Sequence, residues 1–102
     1  MKEAILLAKK VSATIYCPGD LYAVETANAA YRMGCRIPED FGLLGADNAP
    51  GSARCVVPLT TIEVPLAQDG ERCLAAALDL ASGKTSRVDL RSRIRLVKRE
   101  SL

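Results

Sequence analysis

No histidine occurs anywhere in the 102 residues, so the commonest general base is missing, and with it any serine or cysteine triad that relies on an imidazole. Tryptophan is absent too, and one Phe and three Tyr are the whole aromatic complement. That is too few for a platform on which single-stranded nucleic acid stacks. A large excess of either charge is missing as well: the formal net charge of +2 does not imply a nucleic-acid partner. Long apolar runs are missing, since nothing approaches the roughly 20 residues of a membrane span. Ala4 to Ala8 followed by Val11-Ser12-Ala13 faintly imitates a secretion signal, but its apolar stretch is shorter than the about 7 to 15 residues such a signal needs. The expected setting is soluble and cytoplasmic, without membrane contact. The four cysteines, Cys17, Cys35, Cys55 and Cys73, form no C-x-x-C pair, and a zinc site normally shows that local spacing. Reduced, mostly buried thiols are expected, with no metal and no cofactor.

What is present is an ordinary globular composition, 49% hydrophobic and 25% charged, suited to one compact unit or part of one. A chain of this size buries roughly 60 to 70% of its unfolded surface, so a core is possible but thin. Glu3 to Lys10 reads as the end of a helix and Ala13 to Cys17 as a short buried strand. Pro18-Gly19-Asp20 makes a turn in which Asp20 is a plausible N-cap. Leu21, Val24, Ala27, Asn28 and Tyr31 then fall at three-and-four spacing, the mark of a helix with one core-facing stripe. Gly34 is the residue type that most readily closes a helix in the left-handed conformation, and Pro38 cannot continue one. Phe41 to Ala46 is an apolar run bounded by turn signals, as in a strand covered on both faces. Thr60 to Val64 is a third, β-branched strand ended by Pro65. Leu66 to Ser82 has the clearest helical periodicity, and Gly83 is its expected cap.

Val88 to Leu90 and Ile94 to Val97 read as two further short strands. The arginines around them, Arg87, Arg91, Arg93, Arg95 and Arg99, largely alternate with apolar residues and therefore read as a solvated strand face, not a phosphate-binding stripe. The resulting order, α-β-α-β-loop-β-α-β-β, is an α/β pattern with at least two parallel crossovers. Gly83-Lys84-Thr85 imitates the tail of a phosphate loop, but Leu78 stands where that motif needs glycine, and the segment ends a helix where it should begin one.

Asp47 stands at the carboxyl end of the second strand. In open parallel sheets ligands bind beyond the carboxyl ends of the strands, and a carboxylate there accepts hydrogen bonds from hydroxyls or amines. It can equally well cap the loop A-D-N-A-P-G, and turns of that kind outnumber binding sites. Cys17, beside a helix start, is the other chemically suggestive position, although no base accompanies it.

Four ordered segments carry a more specific signal: C-P-G-D-L-Y-A at Cys17 to Ala23, R-I-P-E-D-F-G-L-L-G-A-D-N at Arg36 to Asn48, P-L-T-T-I at Pro58 to Ile62, and L-V-K-R-E-S at Leu96 to Ser101. Together they resemble the carboxyl-terminal part of the effector-binding domain of LacI/GalR-type transcriptional regulators. The resemblance implies a carboxyl-terminal fragment of a periplasmic-binding-protein-like parallel-sheet sandwich. Residues 1–64 would form part of the carboxyl-terminal lobe, 65–91 a hinge crossing and a helix of the amino-terminal lobe, and 92–102 the returning strand.

The implied function is to bind a small, sugar-like effector, to form a homodimer, and to control DNA binding by a headpiece outside these residues. It is not an enzymatic one. The family's effector-contacting aspartate maps onto Asp47, and the aspartate of its N-D pair onto Asp20. Gly19 replaces the asparagine of that pair, and Val64 replaces a frequent glutamine. These four positions are the implied ligand-binding set, with Tyr22 and Val24 the candidates for the dimer interface. A fragment of the sugar-binding protein of an ABC transporter is the alternative.

Overall fold

A computed structural model describes residues 1–102. The chain forms two compact units, Met1–Glu63 with Arg95–Leu102, and Val64–Ile94. In the first, helix α1 (Lys2–Val11) leads into strand β1 (Thr14–Tyr16), helix α2 (Asp20–Arg32), strand β2 (Gly42–Ala46), strand β3 (Thr60–Glu63) and, after the second unit, strand β4 (Arg95–Val97). The sheet order is β1-β2-β3-β4. β1 and β3 flank β2 in parallel, with Ile15 opposite Leu43 and Gly45 opposite Thr61, and β4 runs antiparallel to β3 with Ile62 opposite Leu96.

Each element follows from local chemistry. The α1 helix stops where Ser12 turns left-handed (φ 51°) and its N–H returns to the Lys9 carbonyl. Ile5 and Ala8, three apart, form its buried stripe. The α2 helix ends as Gly34 takes φ +70° and Cys35 donates its N–H to the Ala30 carbonyl; the missing Cβ is what makes that conformation cheap. The turn that follows is pinned by Asp40, whose carboxylate accepts from the Arg36 N–H (2.9 Å) and from Lys9 Nζ (3.0 Å). Those two bonds, the backbone one foremost, hold Asp40 below the usual aspartate range.

The core of this unit lies between α2 and the sheet. Ala23, Ala27 and Ala30 present the helix's small buried face, and Phe41, Leu43, Leu59 and Ile5 supply the large fully buried side chains. Each such large residue is worth about 1.5 to 3 kcal/mol of burial. Ser101 ties β2 to the start of β3. Buried Ser101 donates its Oγ to the Leu43 carbonyl (2.6 Å) and accepts the Thr60 N–H (2.8 Å), while its own carbonyl takes the Leu43 N–H.

The second unit contains one regular element, α3 (Leu66–Ala81), with no buried residue; Leu66, Leu74 and Leu78 are exposed along it. Gly83 follows with φ +72°. Asp69 gathers the rest of the unit: it accepts from the Ser92 hydroxyl and from Arg72, which also donates to the Arg91 carbonyl.

Three expectations need correction. Val88 to Leu90 is not a strand, because the unit that holds it offers no second strand, and a strand exists only through its ladder. Asp20 is the first residue of α2 and not its N-cap; Gly19 takes the cap position, with no side-chain bond. Arg99 is not part of a solvated strand face: its guanidinium reaches back to Asn48, Ser52 and the Leu59 carbonyl.

Candidate functional site

The two parallel strands β1 and β2 end side by side, and the residues just beyond them face the same end of the sheet. Past β1 the chain runs through Cys17, Pro18 and Gly19 into α2; past β2 it runs through Asp47 and Asn48 into the loop that ends at β3. Asp47 is exposed. Its N–H extends the ladder by donating to the Ile62 carbonyl (2.7 Å), which fixes the backbone. Its carboxylate has no hydrogen-bond or ion-pair partner within the chain. It points toward Gly19: an atom placed as a Cβ on Gly19 would sit 3.6 Å from Asp47 Oδ2 and 3.4 Å from the Tyr22 ring. Gly19 thus leaves a small gap between a free carboxylate and the ring of exposed Tyr22.

Asp20 was expected among the ligand groups, and its geometry is that of a brace. It is 2% exposed. Oδ1 accepts the Thr61 hydroxyl (2.6 Å) and Oδ2 the Ala49 N–H (2.7 Å), so one carboxylate ties the start of α2 to β3 and to the loop beyond Asn48. Gly45 makes room for it, since a Cβ there would lie 2.1 Å from Asp20 Oδ1. A glycine in a strand interior commonly marks a close approach of this kind. Both oxygens being engaged and buried, Asp20 has no open face for a ligand.

The remaining expected residues separate. Val64 lies outside the sheet unit, as the first, partly buried residue of the second unit. Tyr22 is 62% exposed, whereas Val24 is partly buried and packs against the cluster of Cys17, Ala23, Ala27, Leu43 and Leu59. A shallow, mainly apolar depression beside them is lined by Asp20, Leu21, Val24, Ala49, Gly51 and Ser52. Cys17 is buried against Thr26 Oγ1 (3.7 Å) and has no neighbour that would activate it.

Asn48, read in the sequence only as part of the A-D-N-A-P-G turn, and Glu63, read only as part of the third strand, meet at the tip. Asn48 adopts φ 50° directly after Asp47 at φ 94°. Its side chain donates to Glu63 Oε1 (2.8 Å) and accepts from Arg99 (2.7 Å). Glu63 in turn takes Arg95 (2.6 Å), and these donors, Asn48 first, hold its carboxyl below the ordinary glutamate range.

Comparison with known proteins gives this arrangement its setting. The sequence profile of the periplasmic binding protein-like domain matches residues 3–102. The HTH-type transcriptional repressor PurR of Erwinia tasmaniensis is 32% identical over 82 residues, covering 80% of this chain and 24% of that protein. The repressor CytR of Escherichia coli K12 is 33% identical over 70 residues, covering 69% and 20% respectively. The chain therefore spans about a quarter or less of the length of these relatives. Among solved structures, the transcriptional regulator CelR in complex with cellobiose superposes with TM-score 0.85 at 26% identity, over 98% of this chain and 31% of that one. A periplasmic binding ribose operon repressor protein from Lactobacillus acidophilus does so with TM-score 0.84 at 29% identity, over 97% and 38%. The chain belongs to the periplasmic binding protein-like domain family and corresponds to the carboxyl-terminal part of the effector-binding domain of LacI-type transcriptional regulators.

Proposed function

We propose that this chain is the effector-binding and dimerisation portion of a cytoplasmic LacI-type transcriptional regulator, controlling DNA binding by a headpiece that lies outside these residues. The observation that carries the reading is Asp47: an unpartnered carboxylate, at the carboxyl tip of a parallel strand, with its backbone held by the sheet. A group so placed accepts two hydrogen bonds from one small molecule without moving. The effector is a sugar or a related metabolite, in keeping with the cellobiose bound by the similar regulator CelR.

Gly19 and Val64 stand where the family's amides stand, and the Tyr22 ring borders the gap at Gly19. The effector is therefore less dependent on amide hydrogen bonds than a typical polyol ligand. Tyr22, Leu21 and the apolar depression next to them form the surface on which a second copy docks. No catalytic step is assigned: the chemistry of the tip is binding chemistry, with no base beside Cys17. Residues 65–91 serve as hinge crossing and as a helix of the other lobe.

Titration calorimetry of the intact regulator against mono- and disaccharides, glucose and cellobiose included, tests this reading. At least one ligand of this class binds, and Asp47→Ala weakens it by tenfold or more, the about 1.5 to 3 kcal/mol of a hydrogen bond to a charged group. An Asp47→Ala variant with unchanged affinity for a bound sugar refutes the site. Sedimentation that finds only monomer at every concentration refutes the docking surface.

A further inference from the structure

Two consecutive non-glycine residues, Asp47 (φ 94°) and Asn48 (φ 50°), sit in left-handed backbone conformations. Such residues are uncommon and persist where surrounding bonds over-determine them. The bonds that do so here converge on the Asn48 side chain. Its amide nitrogen donates to Glu63, which can only accept when ionised, and its amide oxygen accepts from Arg99, which can only donate. The orientation of the amide is thereby set, since a flipped Asn48 would put like groups together at both ends. The Asn48 N–H adds a bond to Thr61 Oγ1 (3.3 Å).

Arg99 is itself anchored, donating to the Leu59 carbonyl (2.8 Å) and to Ser52 Oγ (3.2 Å). Its N–H goes to Thr60 Oγ1. Glu63 is held from the far side by Arg95, its register partner across β3 and β4. Glu63 and Arg95 are also the residues at which the chain leaves and re-enters the sheet unit.

We infer that Asn48 is a positioning residue, clamped between Glu63 and Arg99, that holds Asp47 in its left-handed conformation and so pre-orients the carboxylate toward the gap at Gly19. The inference deepens the reading of Asp47 as the effector group and rests on it. Pre-orientation matters because a ligand then need not supply the ordering cost of the tip. The clamp also ties the tip to the two strand ends that lead into the second unit, so the side chain that aims Asp47 shares its partner with the hinge strands.

Amide hydrogen exchange read residue by residue on the whole chain, with no ligand present, tests the clamp. The reporter is the Asp47 N–H bonded to Ile62, and the control is the Leu43 N–H bonded to Ser101. Asn48→Ala accelerates exchange at Asp47 about tenfold or more relative to Leu43, the loss expected for hydrogen bonds to charged groups. Asn48→Gly does the same although glycine accepts φ 50° freely, which separates the clamp from simple backbone preference. Asn48→Asp behaves like the alanine variant because it sets a carboxylate against Glu63. Adding Glu63→Gln restores slow exchange, because the glutamine amide donates to the new aspartate. Unchanged Asp47 exchange in either Asn48→Ala or Asn48→Gly overturns the inference, as does a Glu63→Gln addition that rescues nothing. A failure of every sugar to bind counts against the effector reading alone, since the exchange result is obtained without one.

Discussion

Gly45→Ala is the sharpest perturbation this structure offers. The added methyl would stand 2.1 Å from Asp20 Oδ1 and 3.4 Å from Ala23 Cβ, on a strand held between two parallel neighbours. The backbone cannot retreat, so the carboxylate must leave. Its departure removes the bonds to the Thr61 hydroxyl and the Ala49 N–H. Hydrogen bonds to charged groups are worth about 1.5 to 3 kcal/mol each, which puts the cost at about 3 to 6 kcal/mol. Domains have only about 5 to 15 kcal/mol to lose. Asp20→Ala forfeits the same two bonds and costs a similar amount. Once Asp20 is gone, however, the next contact of the added methyl is the Ala23 Cβ at 3.4 Å, an ordinary one, and Gly45→Ala becomes neutral, or stabilising by about 0.5 to 1 kcal/mol through reduced chain entropy. Urea unfolding of the parent, both single variants and the double, followed by far-UV circular dichroism, closes the cycle. The two changes must be strongly non-additive. Additivity within about 0.5 kcal/mol, the behaviour of independent sites, would show that Gly45 does not exist to accommodate Asp20.

Three other outcomes follow from the same geometry. Asp40 and Glu63 are held below their ordinary values of 3.8 and 4.5 by Arg36 with Lys9 and by Asn48 with Arg95. Their contribution to stability is complete above the unfolded values and is lost as pH falls through the lower folded ones. The urea midpoint therefore declines below about pH 4.5, and the double variant Asp40→Asn, Glu63→Gln flattens that decline; an identical acid profile in the variant refutes it. Ser101→Ala leaves the Thr60 N–H without its acceptor and costs about 1 to 3 kcal/mol, measured by the same unfolding assay. Iodoacetamide under native conditions modifies exposed Cys73 first, while buried Cys17 and Cys35 react only after unfolding; mass spectrometry of the labelled peptides reads the order.

The elements that local chemistry controls were legible in advance. Gly34 and Gly83 were placed as helix closers from their position after apolar-periodic runs, and both take positive φ. The helices at Lys2–Val11, Asp20–Arg32 and Leu66–Ala81 and the strands at Gly42–Ala46 and Thr60–Glu63 begin and end within two residues of the bounds read from the sequence. Val88 to Leu90 shows the limit of this reasoning. Its alternation with charged residues is a genuine strand pattern, yet alternation does not supply a neighbour to pair with.

The candidate site divides along the same line. That a carboxylate stands at the end of an apolar strand, ahead of a turn-forming loop, is written in L-L-G-A-D-N; the order of elements and the four family segments are likewise properties of the one-dimensional chain. Which carboxylate stays open is not. Asp20 and Asp47 are the same side chain beyond two neighbouring strand ends, and only the arrival of Thr61, 41 residues after Asp20, and the bare backbone of Gly45 turn the first into a buried brace. Arg99 looked like one more solvated charge until the return of the chain carried it to Asn48, 51 residues earlier. Local sequence governs backbone conformation because the relevant forces act within a turn or two. Burial and hydrogen-bond partnership are set by segments far apart in the chain, and the folded sheet is what brings them within 3 Å of one another.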